Sequence, residues 1–146
     1  MSLKTAIVTL VMSSAMTLST VAMANGSIPA GVYNIDPMHS KIGFEVPHLV
    51  ISTVEGRFET FEGKIEVNEK VEKSNVSVSI DTASINTSVA KRDEHLKSAD
   101  FFDVAKFPKI SFVSKKVVAT KDGLQVSGKL TIKKVTKDVT LNVVYA

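Results

Sequence analysis

Three histidines, His39, His48 and His95, are the side chains best suited to acid–base chemistry or metal binding in this chain of 146 residues, which has no cysteine. His39 and His48 are nine positions apart, and an odd offset places two side chains on opposite faces of a regular strand. His95 falls in a segment of helical character, where the residues four positions away, Lys91 and Ala99, are not metal ligands. The spacing therefore predicts no metal site, and no motif indicates a cofactor.

A nucleophilic catalytic site is equally poorly supported. The pair His39-Ser40 beside Asp36 has the composition of a catalytic triad. Neighbouring residues on a strand point to opposite faces, however, and cannot form the hydrogen bond that the mechanism requires. The chain also has no Gly-x-Ser-x-Gly elbow. We therefore predict no catalytic residue.

Alternation of apolar and polar residues dominates the chain from about Gly31 onward and predicts β-strands. The stretch SKIGFEVPH places Ile42, Phe44 and Val46 on one face, and the stretches NVSVSIDT and LQVSGKLTI alternate in the same way. A short turn at Asp122-Gly123 joins two such stretches. The pattern predicts an antiparallel meander, either an up-and-down barrel or a sandwich.

One segment, NTSVAKRDEHLKSADFFDVAKFP, departs from this pattern and predicts a short helix. Residues 86–88 are candidates for its N-terminal cap, and Val89 and Leu96 lie on one helical face. The polar pair Arg92 and Asp93 lies between them. The helix would therefore place two polar groups beside an apolar surface.

Residues 54–67 change their alternation partway along the segment. Gly56 and Phe58 share one face, whereas Phe61 and the apolar residues after it share the opposite face. A bulge or a sharp bend near Thr60 would keep both Phe58 and Phe61 inside, as tightly curved sheets require.

The inward side of these strands is apolar, so it must either fill the interior of a barrel or line a cavity within it. An ordinary packed core is the usual outcome for such a set of side chains. Small residues at inward positions favour a cavity, and the sequence has four of them: Ser40, Gly56, Thr60 and Gly128.

The N-terminal segment, residues 1–24, has the features of a secretory signal peptide. A basic start at Lys4 is followed by an apolar run and by an Ala22-x-Ala24 cleavage pattern. We expect cleavage after Ala24, a periplasmic location, and a single mature domain at residues 25–146.

The C-terminal part has two notable features. It ends at Tyr145-Ala146 within an alternating pattern, which predicts that the strands needed to close a barrel are missing. Residues 101–146 also carry nine lysines against three acidic residues. Such a basic half could meet anionic lipid heads or a phosphorylated ligand, or it could simply be a set of solvated lysines. Nothing indicates a nucleic-acid partner.

Four blocks of sequence occur in an order and spacing that resemble a known family: DPMHSKIGFEVPHL, VEGRFETFEGKI, RDEHLKSADFFDVAKFPKISF and GKLTIKKVTKDVT. Together they resemble the bacterial YceI-like family from Gly31 onward. The resemblance implies an all-β fold, an antiparallel lipocalin-like β-barrel with one short helix, whose apolar interior binds polyisoprenoid or similar amphiphilic lipids. It also implies a periplasmic location for exported members, and that dimers occur.

The resemblance assigns the apolar inward residues to the lipid-binding wall and the polar residues near strand or helix ends to the lipid head group. The wall residues are Ile42, Phe44, Val46, Phe58, Phe61, Ile80, Leu96, Phe101, Phe102, Phe112, Leu130 and Ile132. The head-group candidates are His39, His48, Arg92 and His95.

The leading hypothesis is a periplasmic protein that sequesters or carries such a lipid, with possible homodimer formation and transient contact with a membrane surface. One alternative is an enzyme of isoprenoid-lipid or quinone metabolism, for which Asp93 and His95 are the only plausible acid–base pair. The other is a β-sandwich interaction module that binds a partner along an edge strand and holds no ligand.

Overall fold

The computed structural model describes residues 28–48 and 52–144, without the side chain of His48. The expected signal peptide, residues 1–24, and the last two residues lie outside this part of the chain. No helix within the described ranges is both long enough and apolar enough to cross a membrane.

The described residues form nine β-strands and one α-helix, and every strand pairing is antiparallel. The strands are β1 (Gly31–Asn34), β2 (Ile42–His48), β3 (Ser52–Phe58), β4 (Phe61–Val67), β5 (Asn75–Asp81), β6 (Ile85–Asn86), β7 (Lys109–Thr120), β8 (Gly123–Ile132) and β9 (Val135–Val144). The helix, α1, is Ala90–Lys97. The predicted all-β antiparallel fold with one short helix is therefore confirmed.

The strands are arranged in two sheets. A six-stranded sheet has the order β1-β4-β5-β7-β8-β9, and a three-stranded sheet has the order β2-β3-β6. In the described part of the chain no strand pairing joins the two sheets, so the barrel wall is not closed. Apolar packing between the sheets must hold them together.

The chain passes from one sheet to the other between Phe58 and Phe61, and both rings are buried. The backbone amides of Glu59 and Thr60 donate to the carbonyl oxygen and the hydroxyl oxygen of Ser84, at 3.1 and 3.0 Å. The change in alternation is thus a change of sheet, and the expected bend near Thr60 is confirmed.

Antiparallel register assigns every strand residue to one of two faces of its sheet. We call the face that carries Phe61, Ile80 and Phe112 in the large sheet, and Phe58 and Ile85 in the small sheet, the inner face; the opposite face is the outer face. Five buried residues form the core that joins the two sheets: Phe58, Phe61, Ile80, Ile85 and Ile110. A second cluster, Phe112, Val117 and Val126, lies within the large sheet.

Two inward glycines are covered by aromatic rings. A Cβ atom at Gly56 would collide with the Phe44 ring, and a Cβ atom at Gly128 would lie 2.7 Å from the Phe112 ring. The other two small residues, Ser40 and Thr60, are exposed. The prediction that these small residues open a cavity is therefore wrong, because the glycines make room for rings and the other two lie outside the core.

A β-bulge interrupts the pairing of β7 with β8 between Ser114 and Lys116. The extra residue shifts the alternation, so that Ser114 and Val117 are both buried. The hydroxyl oxygen of Ser114 accepts a hydrogen bond from the Val76 amide at 2.7 Å, which satisfies this buried polar group.

The outer face of β8 and β9 carries three cross-strand pairs of polar side chains. The Gln125 side chain donates to Asn142 at 3.3 Å, and the hydroxyl oxygens are 3.0 Å apart in the Ser127–Thr140 pair and 2.9 Å apart in the Thr131–Thr136 pair. These contacts supplement the backbone pairing between the two strands.

The sequence indicated a cap for helix α1 at residues 86–88, but the helix begins at Ala90. Val89 is its N-terminal cap, without a side-chain hydrogen bond, and its side chain is exposed. Leu96 instead packs against the core, together with Phe102 from the segment after the helix. The prediction that residues 86–88 cap the helix is therefore wrong.

Candidate ligand-binding face

Part of the inner face remains accessible to a ligand. Val135, Leu141 and Val143 on β9 have exposed fractions of 56, 46 and 37%, although register places them on the same face as the core. Ile65 on β4 and Val46 on β2 are also exposed inner-face residues. Accessible apolar side chains continuous with a core are typical of a binding surface for an apolar ligand.

The residues predicted from sequence to form the lipid-binding wall are mostly brought together. Ten of the twelve belong to the two core clusters or pack against them: Ile42, Phe44, Phe58, Phe61, Ile80, Leu96, Phe102, Phe112, Leu130 and Ile132. The other two, Val46 and Phe101, are about half exposed. Val46 still lies on the inner face, whereas Phe101 follows the helix and contacts His95.

Three phenylalanine rings connect the small sheet to the segment that follows the helix. The ring centroids of Phe44 and Phe58 are 5.7 Å apart, and those of Phe58 and Phe102 are 6.0 Å apart with nearly perpendicular planes. Phe58 is therefore the central ring of the group, in contact with both neighbours.

The described head-group candidates each have local partners. His39 is exposed, and its Nδ1 atom lies 2.6 Å from the Asp36 carboxylate, which holds the pKa of Asp36 below its usual range. His95 is also exposed, and its ring packs edge-on against Phe101 with the centroids 4.9 Å apart. No group of three or more His, Asp or Glu residues in the described part of the chain is placed to hold a metal ion.

The third described candidate, Arg92, belongs to a polar network where β6 meets α1; the side chain of His48 lies outside the described part of the chain. Its guanidinium group donates to the hydroxyl and carbonyl oxygens of Thr87, at 2.7 and 2.8 Å. The Thr87 hydroxyl and amide in turn donate to the Asp93 carboxylate, at 2.6 and 2.9 Å. The network fixes the start of the helix, and the hydroxyl bond is the main cause that lowers the pKa of Asp93.

Replacing Asp93 with asparagine is expected to lower the free energy of unfolding at neutral pH by about 1 kcal/mol, because a charge-assisted hydrogen bond to Thr87 is lost. The pKa of Asp93 is lowered in the folded state from its ordinary value of 3.8, so the ionised carboxylate stabilises the fold above that pH. This contribution is lost as the pH falls from that value through the native pKa. Urea unfolding across this range should show the wild type and the variant converging at acid pH.

The matched control is Glu94→Gln, which removes a neighbouring carboxylate that is well exposed and lies 3.6 Å from Lys97. It should change stability little at any pH. A similar loss in both variants would contradict the assignment to the Thr87–Asp93 contact.

Two cavities on the surface are lined mainly by outer-face residues. One, of about 420 Å³, is lined by Lys41, Gly43, Phe44, Glu45, Glu55, Gly56, Arg57, Asn86 and Ser88. The other, of about 570 Å³, is lined by Asn34, Ile35, Glu62, Gly63, Lys64, Ser77, Val78, Ser79, Ser111, Phe112 and Val113. Both are open clefts beside the sheets, unlike the apolar barrel interior that the family resemblance implies.

The residues of β9 were missing from the predicted wall. The sequence did carry the signal, because Val135, Val139, Leu141 and Val143 alternate with polar residues. Val139 packs against the second core cluster, whereas Val135, Leu141 and Val143 extend the inner face beyond the core, on the strand at the edge of the large sheet.

Two antiparallel sheets that share an apolar inner face, with a short helix beside them, place the molecule in the class of all-β antiparallel proteins. The sequence profile of the YceI-like domain matches residues 33–146. The chain therefore belongs to the YceI-like family, as the resemblance in its sequence indicated.

Known proteins show how far this similarity extends. The protein YceI of Salmonella newport (strain SL254) is 41% identical over 128 residues, which cover 86% of this chain and 67% of that protein. The crystal structure of Burkholderia cenocepacia BcnA matches with a TM-score of 0.68 at 27% identity, over 73% of this chain and 67% of that one. That of the Campylobacter jejuni YceI protein matches with a TM-score of 0.57 at 34% identity, over 74% of this chain and 64% of that one. The chain thus spans about two thirds of the length of these relatives.

Proposed function

We propose that this protein binds a long-chain amphiphile, a polyisoprenoid or a similar lipid, with the apolar tail along the inner face. The observation that carries the proposal is the set of accessible apolar side chains on β9 that continue the core, Val135, Leu141 and Val143. The family resemblance supports the class of ligand.

Burial of the tail would supply the free energy of binding. Transfer of a CH₂ group out of water contributes about 0.8 kcal/mol, or about 4 kcal/mol for each five-carbon isoprene unit. Association costs about 4–15 kcal/mol in lost freedom and ordering. A tail of a few isoprene units can therefore bind without a specific polar contact, provided that most of it is buried.

We propose that the protein binds the lipid and does not convert it chemically. The Asp93 carboxylate, which would have to serve as an acid or base, is engaged by Thr87, and the His95 ring is exposed beside Phe101. Catalysis needs such groups to converge on a reacting atom in a water-excluded site. We also propose export to the periplasm after cleavage behind Ala24, which leaves the domain at residues 25–146.

Leu141→Gln is expected to lower the amount of co-purifying lipid severalfold, because it places an amide on the accessible part of the inner face. The measurement is native mass spectrometry of the purified full chain, followed by solvent extraction and identification of the lipid. A polyprenyl species bound to the wild type is the expected result.

Val113→Gln is the matched control. Val113 is 54% exposed, close to the 46% of Leu141, but it lies on the outer face of the same sheet. Its substitution should leave lipid retention unchanged. Equal retention by the two variants would show that the ligand does not use the inner face, and a wild type that carries no lipid and takes up none would contradict the proposed function.

A further inference from the structure

A lysine lies within the apolar inner face of the edge strand β9. Register pairs Val135 with Ile132, Lys137 with Leu130, and Val139 with Gly128. Residues directly opposite one another on antiparallel strands share a face. Lys137 therefore belongs to the same inner surface as Leu130, between Val135 and Val139.

Its charge is unusual for this surface. In the described strands, and leaving aside His48, whose side chain is not described, every other inner-face position carries an apolar residue, glycine, serine or tyrosine. A charged group at such a position lowers the stability of the fold unless it meets an opposite charge or reaches water.

The described part of the chain supplies no opposite charge to it. The neighbouring acid, Asp138, lies on the outer face, where its carboxylate is 3.3 Å from the Lys115 ammonium group and 4.0 Å from that of Lys129. The Lys137 ammonium group makes no ion pair or hydrogen bond with any described residue. It is thus an exposed and unneutralised cation beside an apolar surface.

We infer that Lys137 binds the anionic head of the amphiphile, a phosphate or another anionic oxygen group, while the tail lies along the inner face. This inference rests on the proposed function and adds to it the charge class of the ligand. The turn residues Lys133 and Lys134 precede β9 and add to the positive potential near this end of the strand. A lysine ammonium group is a strong partner for phosphate.

A purely structural role for Lys137 is the competing explanation. Inward-pointing charges on edge strands prevent the open edge from pairing with another chain. β9 is an edge strand of the large sheet, so this role requires only that Lys137 keep the protein monomeric. The two explanations differ in whether the lysine distinguishes between ligands.

The test uses two probes with the same isoprenoid tail, farnesyl phosphate and farnesol. The full chain is stripped of lipid, and each probe is titrated by calorimetry into the wild type, Lys137→Met and Lys129→Met. Methionine keeps an unbranched side chain of similar length, one atom shorter, and removes its charge. Lys129 is the matched control, because it lies on the outer face one register position away, opposite Asp138.

We expect Lys137→Met to weaken the binding of farnesyl phosphate about tenfold and to leave farnesol binding unchanged or slightly stronger, with Lys129→Met like the wild type for both probes. The preference of the wild type for farnesyl phosphate should also decline as salt is raised. Equal weakening by both variants would show only a general effect of net charge and would overturn the inference.

The remaining outcomes separate the inference from the proposed function. If wild type and Lys137→Met bind both probes alike, the role of Lys137 in head-group binding is refuted, and the proposed function stands. Self-association of Lys137→Met in size-exclusion chromatography, with unchanged binding, would assign the lysine to edge protection instead. If the wild type binds neither probe, both proposals fail.

Discussion

Replacing Phe58 with alanine is expected to lower the free energy of unfolding by about 4 kcal/mol. The Phe58 ring is only 7% exposed, belongs to the core that joins the two sheets, and contacts the rings of Phe44 and Phe102. No strand pairing links the two sheets in the described part of the chain, so their association depends on this packing. Urea unfolding followed by circular dichroism measures the loss.

Phe101→Ala is the matched control, because it removes the same side chain from a position that is 48% exposed. Its ring contacts His95, and the expected loss is below about 1 kcal/mol. If the two substitutions cost the same, Phe58 is not the residue that couples the small sheet to the large one.

Gly128→Ala is expected to destabilise the protein by about 3 kcal/mol although it adds a single methyl group. The new Cβ atom would collide with the carbonyl oxygen of Val113 and would lie 2.8 Å from the Cα atom of Ser114 and 2.7 Å from the Phe112 ring. Two of these neighbours are backbone atoms beside the bulge of β7, so they cannot move without disturbing the pairing with β8. Thermal unfolding should show a clear decrease in Tm.

The control for this prediction is Gly31→Ala at the edge of the same sheet. A Cβ atom there meets nothing closer than 3.8 Å, and that neighbour is the end of the Tyr33 side chain. We expect stability to stay unchanged or to rise slightly, because alanine lowers the entropy of the unfolded chain. A Gly128 variant as stable as the Gly31 variant would show that the bulge region is not tightly packed.

Much of the fold follows from alternation in the sequence. Ile42 and Phe44 share a face because the side-chain period of a strand is two, and the break in that period near Thr60 correctly located the passage between sheets. Most residues of the predicted wall lie in the core or pack against it, since burial is the main use of large apolar residues in strands, and their contact with a lipid stays a prediction.

The remaining features depend on contacts between segments that are distant in sequence. Alternation alone gives no indication that the Phe44 ring covers Gly56, or that the Phe112 ring covers Gly128. The start of helix α1 is set by the contact between Thr87 and Asp93, which no propensity of residues 86–88 encodes. Lys137 was missed for a different reason: a charged residue interrupts the apolar pattern, and its face becomes clear only from the register of β9 on β8.

The polar side-chain pairs between β8 and β9 have a consequence for alternative alignments of the edge strand. A slip of β9 by one residue would turn Val139, Leu141 and Val143 toward the outer face and expose Asp138 on the inner one. The same slip would separate Ser127 from Thr140, and it would likewise part the two residues of each of the other outer-face pairs. Both faces therefore disfavour the shifted alignment together. An edge strand with partners on one side only is thus held to a single register by two independent sets of side chains.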